Sequence, residues 1–153
     1  MKLSSRYRYF LLVVLVFMLL SCGAQPGGSV RGDTFTSKTV TVSAKTQWTS
    51  TGVSAAPGTR LKIRYISGQW SPWPGGAYDA IGSGGDPRCD CNVIMGVSHA
   101  ALIARIGDSQ PFLVGDFLEL RIGESGELYL GINDTDRADN SGSLEVDVQV
   151  QNR

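Results

Sequence analysis

The sequence predicts an all-β protein built around a single antiparallel β-sandwich. Glycine makes up 19 of the 153 residues, above its usual share of about 7%, and divides the chain into short segments. These segments are rich in valine and threonine or alternate apolar with polar residues, which is typical of strands. No window after residue 22 sustains the apolar period of a helix. We count about seven to nine candidate strands, which suits a sandwich.

The first candidate strands lie before residue 66. Residues 39–42 are a β-branched run, and residues 47–53 hold a second run that ends before the turn dipeptide at 57–58. In residues 60–65 three basic side chains alternate with leucine, isoleucine and tyrosine. Because successive side chains of a strand point to opposite faces, this alternation predicts one buried and one solvated face.

Five more candidate strands follow residue 100. Two short apolar runs, residues 101–106 and 111–115, are each followed by or end in glycine. Residues 117–122 and 126–132 are separated by a Glu-Ser-Gly turn. Residues 144–150 alternate four aliphatic side chains with acidic and amide ones, and this is the clearest strand pattern in the chain.

Residues 67–91 are predicted to form a long loop. They hold six glycines, three prolines and three aromatic residues but few aliphatic ones. Loops of this length tend to be functional or disordered, and the aromatic residues argue against disorder. Trp70, Trp73 and Tyr78 either pack against the domain or stack on a sugar ring.

The first 21 residues are predicted to be a lipoprotein signal peptide. Three basic residues precede an apolar run at 10–20 that is too short for a membrane-spanning helix, which needs about 20 residues. The Leu-Leu-Ser-Cys sequence ending at Cys22 resembles a bacterial lipobox, which implies cleavage before Cys22 and its acylation. The alternative is an ordinary signal peptide with a chance cysteine. Residues 22–33 are then a flexible tether, and residues 34–153 the folded domain.

An acylated Cys22 would anchor the chain in the bacterial cell envelope, since two or more acyl chains hold a protein stably at a membrane. No aspartate follows Cys22, which is compatible with the outer membrane if the host has one. The membrane is therefore one expected partner.

The charge distribution argues against a nucleic-acid partner. Three of the 14 basic residues and none of the 14 acidic ones lie before residue 22, so residues 22–153 carry a formal charge of −3. Nucleic-acid-binding domains instead show a basic patch or stripe. The sequence also lacks a nucleophile elbow, a His-Glu-x-x-His zinc motif and a phosphate loop, and it has one histidine. We expect no enzymatic activity.

Residues 133–143 concentrate three aspartates and two asparagines between two predicted strands. Carboxylates this close repel each other unless a cation or solvent intervenes. Oxygen ligands of this kind suit Ca²⁺, which takes about six to eight of them. The alternative is a solvated acidic turn in which these side chains satisfy the turn geometry.

Cys89 and Cys91 are separated by one residue. An exported chain meets oxidising conditions, so we expect a local disulfide that stiffens the loop. Two free thiols or an intermolecular bond are the alternatives. A structural zinc site would need more cysteine or histidine than the chain has.

Four segments of the C-terminal half carry a family resemblance. They are Ala-Ala-Leu-Ile-Ala-Arg-Ile-Gly at 100–107, Gly-Glu-Leu-Tyr-Leu at 126–130, Ile-Asn-Asp at 132–134 and Asp-Asn-Ser-Gly-Ser at 139–143. Through them the domain resembles the calcium-dependent galactose-binding lectins of the PA-IL (LecA-like) type. The resemblance implies a jelly-roll-like, galactose-binding-domain-like sandwich in which one Ca²⁺ bridges the protein and two sugar hydroxyls.

The resemblance also implies a set of metal ligands. Asp134 matches the family's central carboxylate, and Asp139 and Asn140 match its paired amide ligands. Besides the backbone carbonyl of Trp73, the resemblance implies a second backbone carbonyl ligand from residues 135–137. The alternative ligand in this segment is the side-chain carboxylate of Asp136. The residues expected to bind the ion are Trp73, through its backbone carbonyl, and Asp134, Asp136, Asp139 and Asn140.

The sugar-selecting loop departs from the family. The galactose lectins contribute a histidine and a glutamine from the loop before the strand at 100–107, and residues 85–92 contain neither. The charged residues found there favour a different hydroxyl pattern, or an acidic or amino sugar. The residues expected to contact the sugar are Trp73, Asp86, Arg88, Asp90, Asp134, Thr135 and Asp139.

The sequence therefore predicts a membrane-tethered carbohydrate-binding module that uses one calcium ion. The alternative is a structural or protein-interaction lipoprotein that keeps the sandwich without binding sugar. No oligomeric state is predicted.

Overall fold

The alternating segments pair into two antiparallel sheets in the computed structural model, which describes residues 32–85 and 88–151. These residues contain eight strands and no helix. The strands are β1 (Phe35–Ser43), β2 (Thr49–Ala55), β3 (Arg60–Ser71), β4 (Leu102–Ile106), β5 (Phe112–Leu113), β6 (Phe117–Arg121), β7 (Gly126–Ile132) and β8 (Ser141–Gln151). The predicted all-β sandwich is confirmed.

Each sheet has four strands. The first has the order β1-β8-β3-β6, and the second has the order β2-β7-β4-β5. Strand β8 pairs along its length with β1 on one side and with β3 on the other, so that Val146 faces Val40 in one pair and Tyr65 in the other. Both sheets therefore connect strands that are distant in the sequence.

One hydrophobic core lies between the sheets. The alternating residues of β8, Leu144, Val146 and Val148, are fully buried, as predicted for the solvent-excluded face of this strand. They share the core with aliphatic residues of the second sheet such as Leu102 and Leu130. Each such side chain stabilises the fold by about 1.5–3 kcal/mol through removal of its apolar surface from water.

Strand β3 runs further than the sequence indicates, because residues 67–71 belong to it rather than to a loop. A register shift between Tyr65 and Ser67 interrupts the alternation of apolar and polar residues. The sequence pattern of a strand therefore ends there, although β3 continues to pair with β8 as far as Ser71. Gly68, a residue type that is typical of turns, has a φ of 95° and lies against the backbone of Ser143. Trp70 is 1% exposed and is therefore a core residue.

The ends of four strands place two loops at the same end of the sandwich. Ser71, the last residue of β3, pairs with Ser141, the first residue of β8. Leu102, the first residue of β4, pairs with Ile132, the last residue of β7. The long connection between β3 and β4 therefore meets the acidic connection between β7 and β8.

The signal peptide, Cys22 and most of the proposed tether lie outside the described residues. From Asp33 onward the chain forms one unit. Within residues 32–85 and 88–151, no helix is long and apolar enough to span a membrane.

The close approach of backbone to Gly131 provides a test of the packing. A Cβ atom added there would overlap the carbonyl oxygen of Gln47 and lie 3.3 Å from the Trp48 ring. We expect Gly131→Ala to lower the free energy of unfolding by about 1–3 kcal/mol through overpacking. Gly123→Ala, where no atom lies within 4 Å of the added Cβ, should change it by less than about 0.5 kcal/mol. Urea denaturation of both variants measures the difference, and equal effects would contradict the packing described here.

Candidate functional site

A cleft of about 410 Å³ opens where the β3–β4 and β7–β8 connections meet. One wall comes from the β3–β4 connection and the other from the acidic loop that follows β7. The lining residues are Pro72, Trp73, Ser83, Gly85, Cys89, Cys91, His99, Asp134, Asp136 and Asp139. The residues predicted for metal and sugar binding thus contribute both an aromatic wall and an acidic wall.

Asp134 is the most deeply buried carboxylate of the cleft, with 2% of its surface exposed. Its Oδ1 accepts a hydrogen bond from the backbone N–H of Asp136 at 3.0 Å. Its Oδ2 is buried and has no hydrogen-bond partner among the described residues. Burying an unpaired carboxylate oxygen is costly, because it loses its hydration without a replacement. Asp134 therefore presents a strong acceptor that a cation would satisfy.

Asn140 presents a second unpaired acceptor at the other end of the same loop. It is 1% exposed, and its Nδ2 donates to the carbonyl of Ala44 at 3.2 Å. That hydrogen bond assigns the amide orientation and leaves Oδ1 buried and without a partner in the described part of the chain. The loop is thus bounded by two buried side-chain oxygens, both of the type that Ca²⁺ binds.

Asn133 fixes the position of this loop from beneath. It is fully buried, and its Oδ1 accepts a hydrogen bond from the N–H of Ile94 at 2.7 Å. Its Nδ2 lies within 3.1–3.3 Å of the carbonyl oxygens of Ile94, Val97 and Ser98. A single amide therefore joins the β3–β4 connection to the residue that precedes Asp134. The sequence pattern alone does not distinguish Asn133 from the other polar residues of this loop.

Trp73 forms the aromatic wall, and its side chain is 38% exposed. Its backbone carbonyl accepts hydrogen bonds from the Ser71 hydroxyl and, at 3.2 Å, from the N–H of Gly76. The indole contacts Tyr78 edge-on at 5.5 Å between ring centroids. Of the three aromatic residues left open by the sequence, Trp73 lines the cleft, Tyr78 supports it and Trp70 belongs to the core.

His99 lines the cleft, although it is not among the site residues that the sequence predicts. Its ring stacks on Trp73 with 5.6 Å between centroids and 2° between planes. Its Nδ1 lies 2.9 Å from Oδ1 of Asn92. This contact and the stacking on Trp73 hold the imidazole at the wall of the cleft. No spacing in the sequence relates His99 to Trp73, because a long irregular segment brings the two together.

The cysteine loop is attached directly to the acidic loop. Cys89 and Cys91 are joined by a disulfide, and both line the cleft. The carbonyl of Cys91 accepts hydrogen bonds from the backbone N–H of Thr135 at 2.8 Å and from its hydroxyl at 3.1 Å. The Thr135 hydroxyl therefore contacts the protein, and Thr135 is not among the residues that line the cleft.

The remaining predicted residues differ in position. Asp136 and Asp139 are exposed and line the cleft. Arg88 and Asp90 are exposed but are not among the residues that line it. Asp86 lies outside the described residues.

No three His, Cys, Asp or Glu side chains converge tightly enough to hold a metal ion in residues 32–85 and 88–151. Asn140 is not among the residues that line the cleft. A cation bound between the two loops would therefore need mixed donors, with amide or backbone carbonyl oxygens beside the carboxylates. Calcium accepts such mixed sets, whereas zinc prefers nitrogen and sulfur ligands.

The fold is similar to that of a lectin domain. No family model matches the chain, and no curated protein matches it. Eight chains of solved structures are similar to it. One of them is described as the EclA N-terminal domain, a PllA-like lectin, with 23% sequence identity and a TM-score of 0.53. The match covers 73% of this chain and 94% of that one, so it spans nearly the whole lectin domain.

Proposed function

We propose that this chain binds carbohydrate through a calcium ion held in the cleft. The observation that carries the proposal is the pair of buried, unpaired oxygens, Asp134 Oδ2 and Asn140 Oδ1. Native proteins rarely leave buried acceptors unsatisfied, and an ion is a common explanation when they do. The lectin-like fold and the resemblance to the PA-IL (LecA-like) type support the same proposal.

The described residues offer a suitable set of donors. Asp134 would bind the ion through the Oδ2 that it presents at the cleft, and Asn140 through its Oδ1 at the other end of the same loop. The carbonyl of Trp73 would bind the ion in addition to the two hydrogen bonds that it already accepts. Asp136 and Asp139 stand at the rim, where exposure leaves their carboxylates able to adjust. When bound, Ca²⁺ would accept two vicinal sugar hydroxyls in place of water.

The aromatic wall is suited to the sugar ring itself. Trp73 exposes part of its indole to the cleft, and an apolar ring face can pack against it. The His99 ring, which stacks on Trp73 and lines the cleft, would offer a polar ring nitrogen to a sugar hydroxyl. The galactose lectins instead use a histidine and a glutamine from the loop before the strand at 100–107, and His99 does not match that histidine in position.

The runner-up function is that of a structural or protein-interaction lipoprotein. The observations that favour it are the Asn133 hydrogen bonds and the Thr135–Cys91 contacts, which hold the acidic loop without an ion. Such a protein would keep the sandwich and its loops but bind no glycan.

Membrane attachment through Cys22 is part of the proposed function. The support is the basic segment, the short apolar run and the Leu-Leu-Ser-Cys sequence. Ten residues separate Cys22 from Asp33, the first residue of the folded unit. A tether of this length would keep the domain near the membrane. Phe35, where β1 begins, pairs with Gln151 at the end of β8, whereas the cleft lies at the end of the sandwich where β8 begins.

Calcium should stabilise the protein through Asp134. Binding to the native state alone adds about 2.7 kcal/mol at a hundredfold excess over Kd, so the melting temperature should rise by several degrees. Asp134→Asn should abolish this response, and without calcium the variant should be at least as stable as the parent, because a buried unpaired charge is gone. Differential scanning calorimetry with calcium and with chelator measures both effects.

Asp108→Asn is the matched control, since its side chain is fully exposed beside Arg105. It should retain the calcium response of the parent chain. A melting temperature that does not change across millimolar calcium would indicate the solvated acidic turn instead.

Glycan binding should require calcium and should not be strictly selective for galactose. The ion supplies affinity for vicinal hydroxyls in general, whereas selectivity comes from polar groups beside it. A glycan array probed with and without chelator should show several calcium-dependent ligands. Calcium binding without binding to any glycan would favour the structural lipoprotein.

Cys22→Ser should release the protein from the membrane. Replacing the thiol removes the acceptor for the acyl chains, so the variant should appear in the soluble fraction or remain unprocessed. Mass spectrometry of the membrane-derived parent should find acyl groups on Cys22. A mature chain with an unmodified Cys22 thiol would contradict the assignment.

A further inference from the structure

The turn that contains the disulfide contacts both walls of the cleft. Cys89 and Cys91 are two positions apart and are joined to each other, and both line the cleft. The Cys91 carbonyl accepts hydrogen bonds from the N–H and the hydroxyl of Thr135. The Cys91 Sγ lies 3.5 Å from Nδ1 of His99. The turn therefore connects the acidic loop after β7 with the aromatic wall.

The disulfide restricts the backbone of this turn. The bond closes a ring that contains one intervening residue, Asp90. Within the ring the Cys91 N–H donates to Cys89 Sγ at 3.2 Å, and the following N–H, that of Asn92, donates to the Cys89 carbonyl at 3.1 Å. An intact bond therefore limits the movement of the Cys91 carbonyl. Breaking it restores conformational freedom to the turn, and ordering the turn again costs free energy.

Thr135 links this turn to the proposed calcium site. It directly follows Asp134, whose Oδ2 is buried and has no hydrogen-bond partner among the described residues. Its N–H and hydroxyl donate to the Cys91 carbonyl at 2.8 and 3.1 Å, although Thr135 itself is exposed. An exposed residue depends on such hydrogen bonds for its order, so it becomes more mobile when the acceptor moves. The ion would then have to order the loop on binding, which lowers its affinity.

A small dithiol can reach this disulfide, because Cys89 and Cys91 are only half-buried and line the cleft. A thiolate of the dithiol attacks one sulfur and breaks the S–S bond, which forms a mixed disulfide. The second thiol of the reductant then displaces the cysteine. The chain gains two electrons and two protons as two thiols, and the reductant becomes a disulfide.

We propose that the Cys89–Cys91 disulfide controls the calcium site, so that reduction by a dithiol weakens calcium binding and reoxidation restores it. This inference rests on the proposed calcium-dependent function. Because the closed ring spans only three residues, the bond constrains the unfolded chain little. Its effect is therefore local to the site. The coupling also acts in reverse, since linkage between two equilibria is reciprocal, so bound calcium should make the disulfide harder to reduce.

The first measurement is a calorimetric titration of calcium into the full chain in detergent, oxidised and after reduction by dithiothreitol. We expect the reduced chain to bind calcium about five- to tenfold more weakly, at the lower end of typical coupling between sites. The effect is moderate because Asn133 still anchors the other side of Asp134. The Cys89→Ser/Cys91→Ser double variant should bind calcium as the reduced chain does, both with and without dithiothreitol.

The second measurement is the reduction potential of the disulfide, obtained by equilibration with dithiothreitol redox buffers. Saturating calcium should lower the potential by about 20–30 mV relative to chelator, which is the same five- to tenfold factor for a two-electron couple. This readout reports the coupling without a calcium titration.

A pair of variants tests the contact that carries the coupling. Thr135→Val removes the hydroxyl donor to the Cys91 carbonyl, whereas Thr135→Ser keeps it. In the valine variant the oxidised chain should bind calcium more weakly than the parent, and reduction should change the affinity less. The serine variant should retain the affinity and the redox response of the parent.

Five results would overturn the inference. Equal or tighter calcium binding by the reduced chain would refute it while leaving calcium binding intact. Loss of the cooperative unfolding transition on reduction would make the disulfide a requirement of the fold. A response to dithiothreitol in the double serine variant would assign the effect to Cys22 or to the reagent. An unchanged redox response in Thr135→Val would refute the role of this contact. Absence of calcium binding in the oxidised chain would refute the proposed function and this inference together.

Discussion

The buried carboxylate of Asp134 is the constraint on which the architecture of the site depends. One of its two oxygens accepts a hydrogen bond from its own loop, and the other has no hydrogen-bond partner among the described residues. Leaving such an oxygen buried costs free energy that the surrounding structure must offset. Two features supply that support. Asn133, the preceding residue, is buried and hydrogen-bonded. The end of β7 pairs with β4, and the start of β8 pairs with β3.

Backbone and side-chain hydrogen bonds join the two loops of the site. Asn133 binds the segment around Ile94, and Thr135 binds Cys91, so the residues on both sides of Asp134 are attached to the β3–β4 connection. With the two loops joined in this way, the β3–β4 connection forms an aromatic wall of the cleft and the loop after β7 forms an acidic wall. A ligand between them can be recognised by both its ring and its polar groups.

The sequence predicted those parts of the molecule in which one local rule determines the structure. The alternation in residues 144–150 matches β8 because one face of that strand is buried, and residues 60–65 match the start of β3 for the same reason. The extension of β3 through Trp70 was missed, since an irregularity shifts its register. His99 was missed because only the fold of a long connection brings it to Trp73. Composition pointed to the acidic loop, but the burial of Asp134 depends on tertiary packing.

A calorimetric titration of calcium into the sugar-free chain tests the central claim most directly. The two unpaired oxygens of Asp134 and Asn140 predict one ion per chain, with binding lost in Asp134→Asn and strongly weakened in Asn140→Leu. Retained binding in both variants would place the ion elsewhere and contradict the account. Absence of binding in the parent chain would show that the cleft tolerates its buried carboxylate without a cation.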